Sequence, residues 1–217
     1  MERPVLIILI FTLITSIFSQ PSALETSEAN SPLSVEKGFI VGATAAKLWG
    51  LEANALLWKP GFWAGIYCIV PIANNLSLRP EFDFSMKGYR YSFVVSGGSQ
   101  DYRRYASLKL NYLDIPVLIQ FSVMISEQLT PDFFIGPYVS INLKAAASSK
   151  VGDEVVDNVV NTVRRFDAGA IAGFRTPVSH RLYFDLRGGG GFLTIIRVKH
   201  PPEKYNLWLG GGIECNL

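Results

Sequence analysis

The sequence predicts an all-β fold: an eight-stranded antiparallel up-and-down transmembrane β-barrel behind a cleaved signal peptide. Three observations carry this reading. An apolar run from Val5 to Phe18 opens the chain, and it falls short of the roughly 20 residues that a spanning helix needs. No later run approaches that length, although 49% of the residues are hydrophobic, only 18% are charged and the mean hydropathy is +0.25. The segments that follow alternate apolar and polar residues with the period of two that marks a strand. An exported chain this apolar must pair its backbone polar groups internally to enter lipid, and without a spanning helix only a closed barrel does so.

The elements follow in order. The weakly charged Met1-Glu2-Arg3-Pro4 and the apolar run after it fit a secretory signal peptide over residues 1–19, with cleavage after Ser19. No cysteine follows the run to carry a lipid anchor. Residues 20–36 (QPSALETSEANSPLSVE) are small and polar and read as a flexible leader. Residues 37–217 then form one barrel domain. About 180 residues are room for eight strands of roughly 10 residues with their loops. The predicted strands are 38–48, 61–71, 76–87, 107–121, 132–147, 165–178, 181–194 and 205–216. The connections alternate in length. Those at Pro71–Asn75 and Ser179-His180 are short turns, that at Ser122–Pro131 is intermediate, and those at 49–60, 88–106, 148–164 and 195–204 are longer. Short periplasmic turns and long outer loops are the habit of bacterial outer-membrane barrels.

The third strand shows the pattern most clearly. Leu76, Leu78, Phe82, Phe84 and Met86 share one face with Pro80, and Ser77, Arg79, Glu81, Asp83 and Ser85 share the other. A membrane barrel turns the first face to lipid and the second to its lumen. Applying the same phase to the other strands collects an inward set of both signs: Arg79, Lys144, Arg175 and Arg187 against Glu81, Asp83, Asp114, Asp167, Asp185 and Glu214. Buried charges persist when paired, and an eight-stranded barrel is just wide enough for side chains to fill. The expected lumen is therefore salt-bridged and plugged. In the fourth strand Leu108 and Leu110 fall out of phase with Leu113, Ile115, Val117, Ile119 and Phe121, which calls for a bulge near Asn111-Tyr112. Pro116 lacks the N–H that a closed ladder uses.

NYLDIPVLIQF (111–121) resembles a strand of the PorT-like outer-membrane β-barrel family of Bacteroidetes. KPGFWAGIYCIVPIANNLSLRPEFDFSMKG (59–88) is similar to that family's second and third strands. FFIGPYVSINLKA (133–145) and FDAGAIAGFRTPVSHRLYFDLRGGGGFLTI (166–195) are similar to its later ones. The resemblance covers about residues 38–217 and implies an eight-stranded barrel in the bacterial outer membrane, with no catalytic residues. The family's namesake is linked to protein secretion across that membrane, which makes a secretion-system accessory one alternative role. The chain ends Cys215-Asn216-Leu217, where such barrels usually end on an aromatic residue.

Other motifs carry less. Gly188–Gly191 and Gly210–Gly212 lack the lysine and the strand–helix context of a phosphate loop, and read as sites of close packing. Cys68 and Cys215 fall on the second and eighth strands, about 9–10 Å apart across the first. A disulfide needs its Cα atoms within about 7 Å, so both thiols are expected free, facing lipid or at the rim. A lipid A-modifying enzyme would need a base beside a nucleophile near the outer leaflet. His180 sits in a predicted periplasmic turn and His200 beside Pro201-Pro202, so no enzyme, cofactor or metal site is expected. The candidate contact surface is the predicted second outer loop, with Tyr89, Arg90, Tyr91, Tyr102, Arg103, Arg104 and Tyr105. Arginine forks suit phosphate and tyrosine suits a membrane interface. The expected partners are outer-membrane lipids, lipopolysaccharide among them, or a membrane or secretion-system protein. A net charge of +2 gives no footing for nucleic acid.

Overall fold

The computed structural model describes residues 34–50, 56–97, 100–126, 130–151, 154–160, 162–196 and 204–217. The expected signal peptide, most of the leader and His200 lie outside them. Among the described residues, eight long strands make the barrel: Glu36–Gly50 (β1), Lys59–Ala73 (β2), Leu76–Gly97 (β3), Gln100–Ser122 (β4), Asp132–Val151 (β5), Phe166–Pro177 (β6), Leu182–Gly191 (β7) and Lys204–Asn216 (β8). Each pairs antiparallel with its neighbours in sequence, and β1 pairs with β8 from Gly38↔Asn216 to Gly50↔Lys204, so the sheet closes on itself. Two short strands flank it: Leu56–Leu57 beside β3 and Glu154–Val159 beside β5. Among the described residues no helix is long and apolar enough to cross a membrane.

The outer wall is apolar. Phe39, Val41, Val117, Ile119, Ile135, Val139, Phe184, Leu186, Leu209 and Ile213 are all exposed on it. Phe121, Phe133 and Phe174 stand side by side on β4, β5 and β6, with centroids 5.7 and 6.1 Å apart. They form an aromatic girdle at the end that carries the short turns.

Three expectations need correction. Residues 88–97 and 100–106 belong to strands and not to a loop. β3 and β4 run on as one antiparallel ladder from Leu76↔Phe121 to Gly97↔Gln100, because the alternation of apolar and polar residues continues through Tyr89 and Tyr91. At 22 and 23 residues the two strands are about twice the length that crosses a bilayer. Within β3, Gly88 adopts φ +129°, and a side chain there would meet the Leu108 carbonyl at 2.0 Å.

The bulge stands where it is expected, and the second correction concerns only which strand carries it. It lies opposite Asn111 and Tyr112, but its extra residue is on β5. Asn111 pairs with Lys144 and Tyr112 with Asn142, which leaves Leu143 over. β4 itself never changes phase, and Leu108 and Leu110 point inward into an apolar layer. The third correction follows from it. The bulge turns Lys144 out of the lumen, where it is exposed. Pro116 causes no slip: the β4–β5 register is the same at Pro116↔Tyr138 as at Ile119↔Ile135.

The inner wall interlocks aromatic rings with glycines. Trp63 lies over three of them, and a Cβ at Gly42, Gly210 or Gly212 would come within 2.1, 3.0 or 2.8 Å of its ring. Tyr138 and Phe134 cover Gly169 and Gly173 in the same way. Replacing Gly42 by alanine therefore overpacks the lumen. It is expected to destabilise the barrel by about 1–3 kcal/mol, read as a lower urea midpoint of the chain refolded in lipid. Gly211→Ala, whose Cβ meets nothing nearer than 3.7 Å, is expected to leave the midpoint unchanged.

Candidate functional site: a charged lumen under an apolar cap

Alternation along each strand places one polar row inside the barrel, and these rows meet across it. Arg79 and Glu81 project from β3, while Asp185 and Arg187 project from β7, four places away in the ring of eight and so on the opposite wall. Arg187 spans the gap. Its Nη1 donates to Glu81 Oε2 at 2.6 Å and its Nη2 to Glu81 Oε1 at 3.2 Å, while Nε and Nη2 donate to Asp185 at 2.7 Å each. Forked, charge-assisted bonds of this kind fix geometry as well as charge. Arg79 Nη2 donates to Glu214 of β8 at 2.6 Å. Its Nε lies 2.6 Å from Glu81 Oε1 in an ion pair too bent to count as a hydrogen bond. Phe134 lies beneath both guanidinium groups, 5.1 Å from each, a cation–π contact that strengthens when desolvated.

Towards the short-turn end, Arg175 of β6 binds Asp132 at 2.7 Å, Glu214 at 3.2 Å and Glu36 at 3.3 Å. Gln120 and Ser122 donate to Asp132. Towards the other end, Asp114 takes Lys87 Nζ at 2.9 Å and the hydroxyls of Ser85 and Ser140. Lys87 sits 4.6 Å from the Tyr138 ring centre. Asp167 accepts from Asn206 Nδ2 at 2.7 Å and from the Ala168 backbone N–H at 2.9 Å. Asp83 lies 3.8 Å from Arg187.

Leu48, Leu108, Leu110, Tyr112, Ala145 and Ile195 close over this network as an apolar layer. Above them, between Tyr89, Tyr91, Val160 and Val163, is a cavity of about 230 Å³. Among the described residues no group of His, Cys, Asp and Glu is placed to hold a metal ion.

Nine of the ten proposed lumen charges thus come together; Lys144 does not. Lys87, Asp132 and Glu36 belong to the network and escaped the sequence reading, although Lys87 continues the phase of Arg79 to Ser85 and Asp132 that of Ser140. The proposed contact residues separate. Tyr89 packs on the apolar layer and its ring lies 6.1 Å from that of Tyr91. Arg90 is exposed on the outer wall. Tyr102, Arg103, Arg104 and Tyr105 pair through their backbones with Val95, Val94, Phe93 and Ser92; their side chains lie outside the described residues. Cys68 and Cys215 are both free, opposite Lys37 and Phe39 of the intervening β1. Cys68 is buried.

Removing one partner of a buried ion pair strands the others and costs roughly 3–5 kcal/mol. Arg187→Met strands both Glu81 and Asp185, and is expected to lower unfolding stability by that amount in denaturant titrations. Lys144→Met, on the outer wall, is expected to shift it by less than about 0.5 kcal/mol.

The family described as outer membrane protein beta-barrel domain matches residues 18–197. No curated protein sequence matches the chain. Among solved structures, Neisserial surface protein A (NspA) is similar at 15% identity and a TM-score of 0.49, covering 85% of this chain and 99% of that one. Ail, the attachment invasion locus protein of Yersinia pestis, is similar at 9% identity and a TM-score of 0.44, covering 84% and 98%. The N-terminal β-barrel domain of Pseudomonas aeruginosa OprF is similar at 12% identity and a TM-score of 0.36, covering 85% and 100%. The family match takes in most of the sequence, and the closed ring has the lipid-facing wall that the family's name requires: the chain belongs to the outer membrane protein β-barrel domain family and resides in the bacterial outer membrane.

Proposed function

We propose that this chain is a plugged, non-conducting and non-catalytic barrel that presents an interaction surface at the cell exterior. The observation that carries the reading is the Glu81–Arg187 bridge between opposite walls. With Arg79, Asp185 and Glu214 it fills the lumen cross-section with side chains that are almost wholly buried, and the apolar layer lies over it. A conducting pore needs a water column, and buried side chains bridging opposite walls support a lumen without one.

The surface on offer is the β3–β4 hairpin. Its outer half extends roughly ten residues beyond what a bilayer accommodates, with its backbone paired up to Gly97↔Gln100. Tyr89, Arg90, Tyr91, Tyr102, Arg103, Arg104 and Tyr105 lie on it, as contacts for lipopolysaccharide phosphates or for an extracellular protein. Against catalysis, His180 is exposed in the turn between β6 and β7, at the end of the barrel away from the hairpin. Residues 1–19 serve as the export signal in this reading and residues 20–36 as a leader. A PorT-like accessory of a secretion system is the second reading, favoured by the NYLDIPVLIQF segment of β4. Co-purification of secretion-machinery proteins with the tagged barrel separates it from the first.

In planar bilayers the refolded chain is expected to give no discrete conductance steps at 100 mV. Stable, long-lived steps would remove the plugged-barrel reading.

A further inference from the structure

Arg90, Lys109 and Lys144 are neighbours on the outer wall. Arg90 faces Ser107 and Gly88 faces Lys109 across the β3–β4 ladder, which sets Arg90 diagonal to Lys109. Lys109 faces Ala146 and Asn111 faces Lys144 across β4–β5, which sets Lys109 diagonal to Lys144. Diagonal neighbours on one face stand about 7–8 Å apart. All three side chains are exposed, and among the described residues none has a carboxylate partner. Lys59 lies within electrostatic reach of Lys109 and Arg90. Like charges so placed repel, and among the described residues no carboxylate offsets them.

Their height along the barrel gives the reason. From Phe121 in the girdle to Lys109 is twelve residues of β4, roughly 40 Å along the strand. A strand tilt of about 40° reduces this to about 30 Å along the barrel axis, the thickness of a hydrocarbon core. Between them the outward positions of β4 are Ile119, Val117, Ile115, Leu113 and then Asn111. The three cations therefore stand at headgroup level of the outer leaflet. Trp58, held 5.0 Å from Lys47, and the Trp49–Tyr205 pair continue the level around the wall as an interfacial aromatic belt.

We propose that Arg90, Lys109 and Lys144 form a phosphate-binding ridge on the barrel's outer wall for the phosphorylated glycolipid of the outer leaflet. The β5 bulge builds it, because in a regular strand, with Leu143 paired rather than left over, the side chain of Lys144 would point into the lumen. Re-aiming a side chain is a recognised use of a bulge. The inference rests on the outer-membrane orientation adopted above, but not on the lumen being closed.

The test uses the full chain refolded in nanodiscs, with bound lipid counted by native mass spectrometry. Bisphosphorylated lipid A is expected to be retained at least tenfold more strongly by the wild type than by the triple variant R90S/K109S/K144S. Dephosphorylated lipid A is expected to bind both chains equally weakly, and millimolar inorganic phosphate not to compete. The charge-keeping K109R/K144R variant is expected to bind within about twofold of wild type. Should the triple variant lose its fold, seen as loss of the heat-dependent gel shift, K109S/K144S takes its place with the same expectation of a clear loss. Equal retention by wild type and variant, retention that survives dephosphorylation, or displacement by free phosphate each overturns the ridge. None of these outcomes alters the conductance reading, so the two proposals fail separately.

Discussion

Every other feature of this protein depends on the seam between β1 and β8. A backbone crossing lipid has no water to bond, so each N–H and C=O must find a partner in the sheet. An open eight-stranded sheet would leave two unpaired edges in hydrocarbon. The ladder from Gly38↔Asn216 to Gly50↔Lys204 removes both. Once the ring is closed, the period of two in every strand becomes a division between lipid and lumen. The exposed Phe39, Ile135 and Leu209 are then in their proper solvent, and Arg79 and Glu214, fully buried, are in theirs.

Closure also sets the problem that the interior solves. The enclosed space is narrow, and filling it with charge carries a desolvation cost of several kcal/mol per ion. Three devices offset that cost here. Each arginine is bonded to more than one carboxylate: Arg187 to Glu81 and Asp185, Arg175 to Asp132, Glu214 and Glu36. The faces of Phe134 and Tyr67 lie against Arg79. Glycines opposite the large rings let Trp63, Tyr138 and Phe134 lie flat. Because the bridge joins β3 to β7 across the barrel, it ties together strands that the hydrogen-bond ladders link only through three others. A network so connected favours one register over its slipped alternatives, since a slip by one residue would turn the whole polar row towards lipid.

The fold was legible because its signal is periodic. Alternation from Leu76 to Met86 located β3 and its inward row, and the same phase placed Asp167, Arg175, Asp185, Arg187 and Glu214 inside. Three things escaped, each for a physical reason. A bulge changes phase without a sequence marker, so Lys144 was assigned to the wrong wall. Leu108 and Leu110 face inward because the upper lumen is apolar, and an apolar inward row looks like a lipid-facing row in the other phase. The charged and aromatic composition of residues 88–106 suggested a loop, although a strand leaving the membrane takes such residues on both faces. Of the candidate contact surface, the sequence marked the right residue types. It did not bring Arg90 to Lys109 and Lys144, a grouping that exists only through cross-strand register.

The closing seam is tested most directly by amide hydrogen exchange of the refolded chain in lipid bilayers, resolved by residue. If the ring is closed, the amides of Gly42 to Ala46 in β1 and Leu207 to Gly212 in β8 exchange as slowly as those of Phe84 and Leu113 in the β3–β4 ladder. Fast exchange confined to β1 and β8, with protection kept elsewhere, would mean an open sheet and would contradict the account.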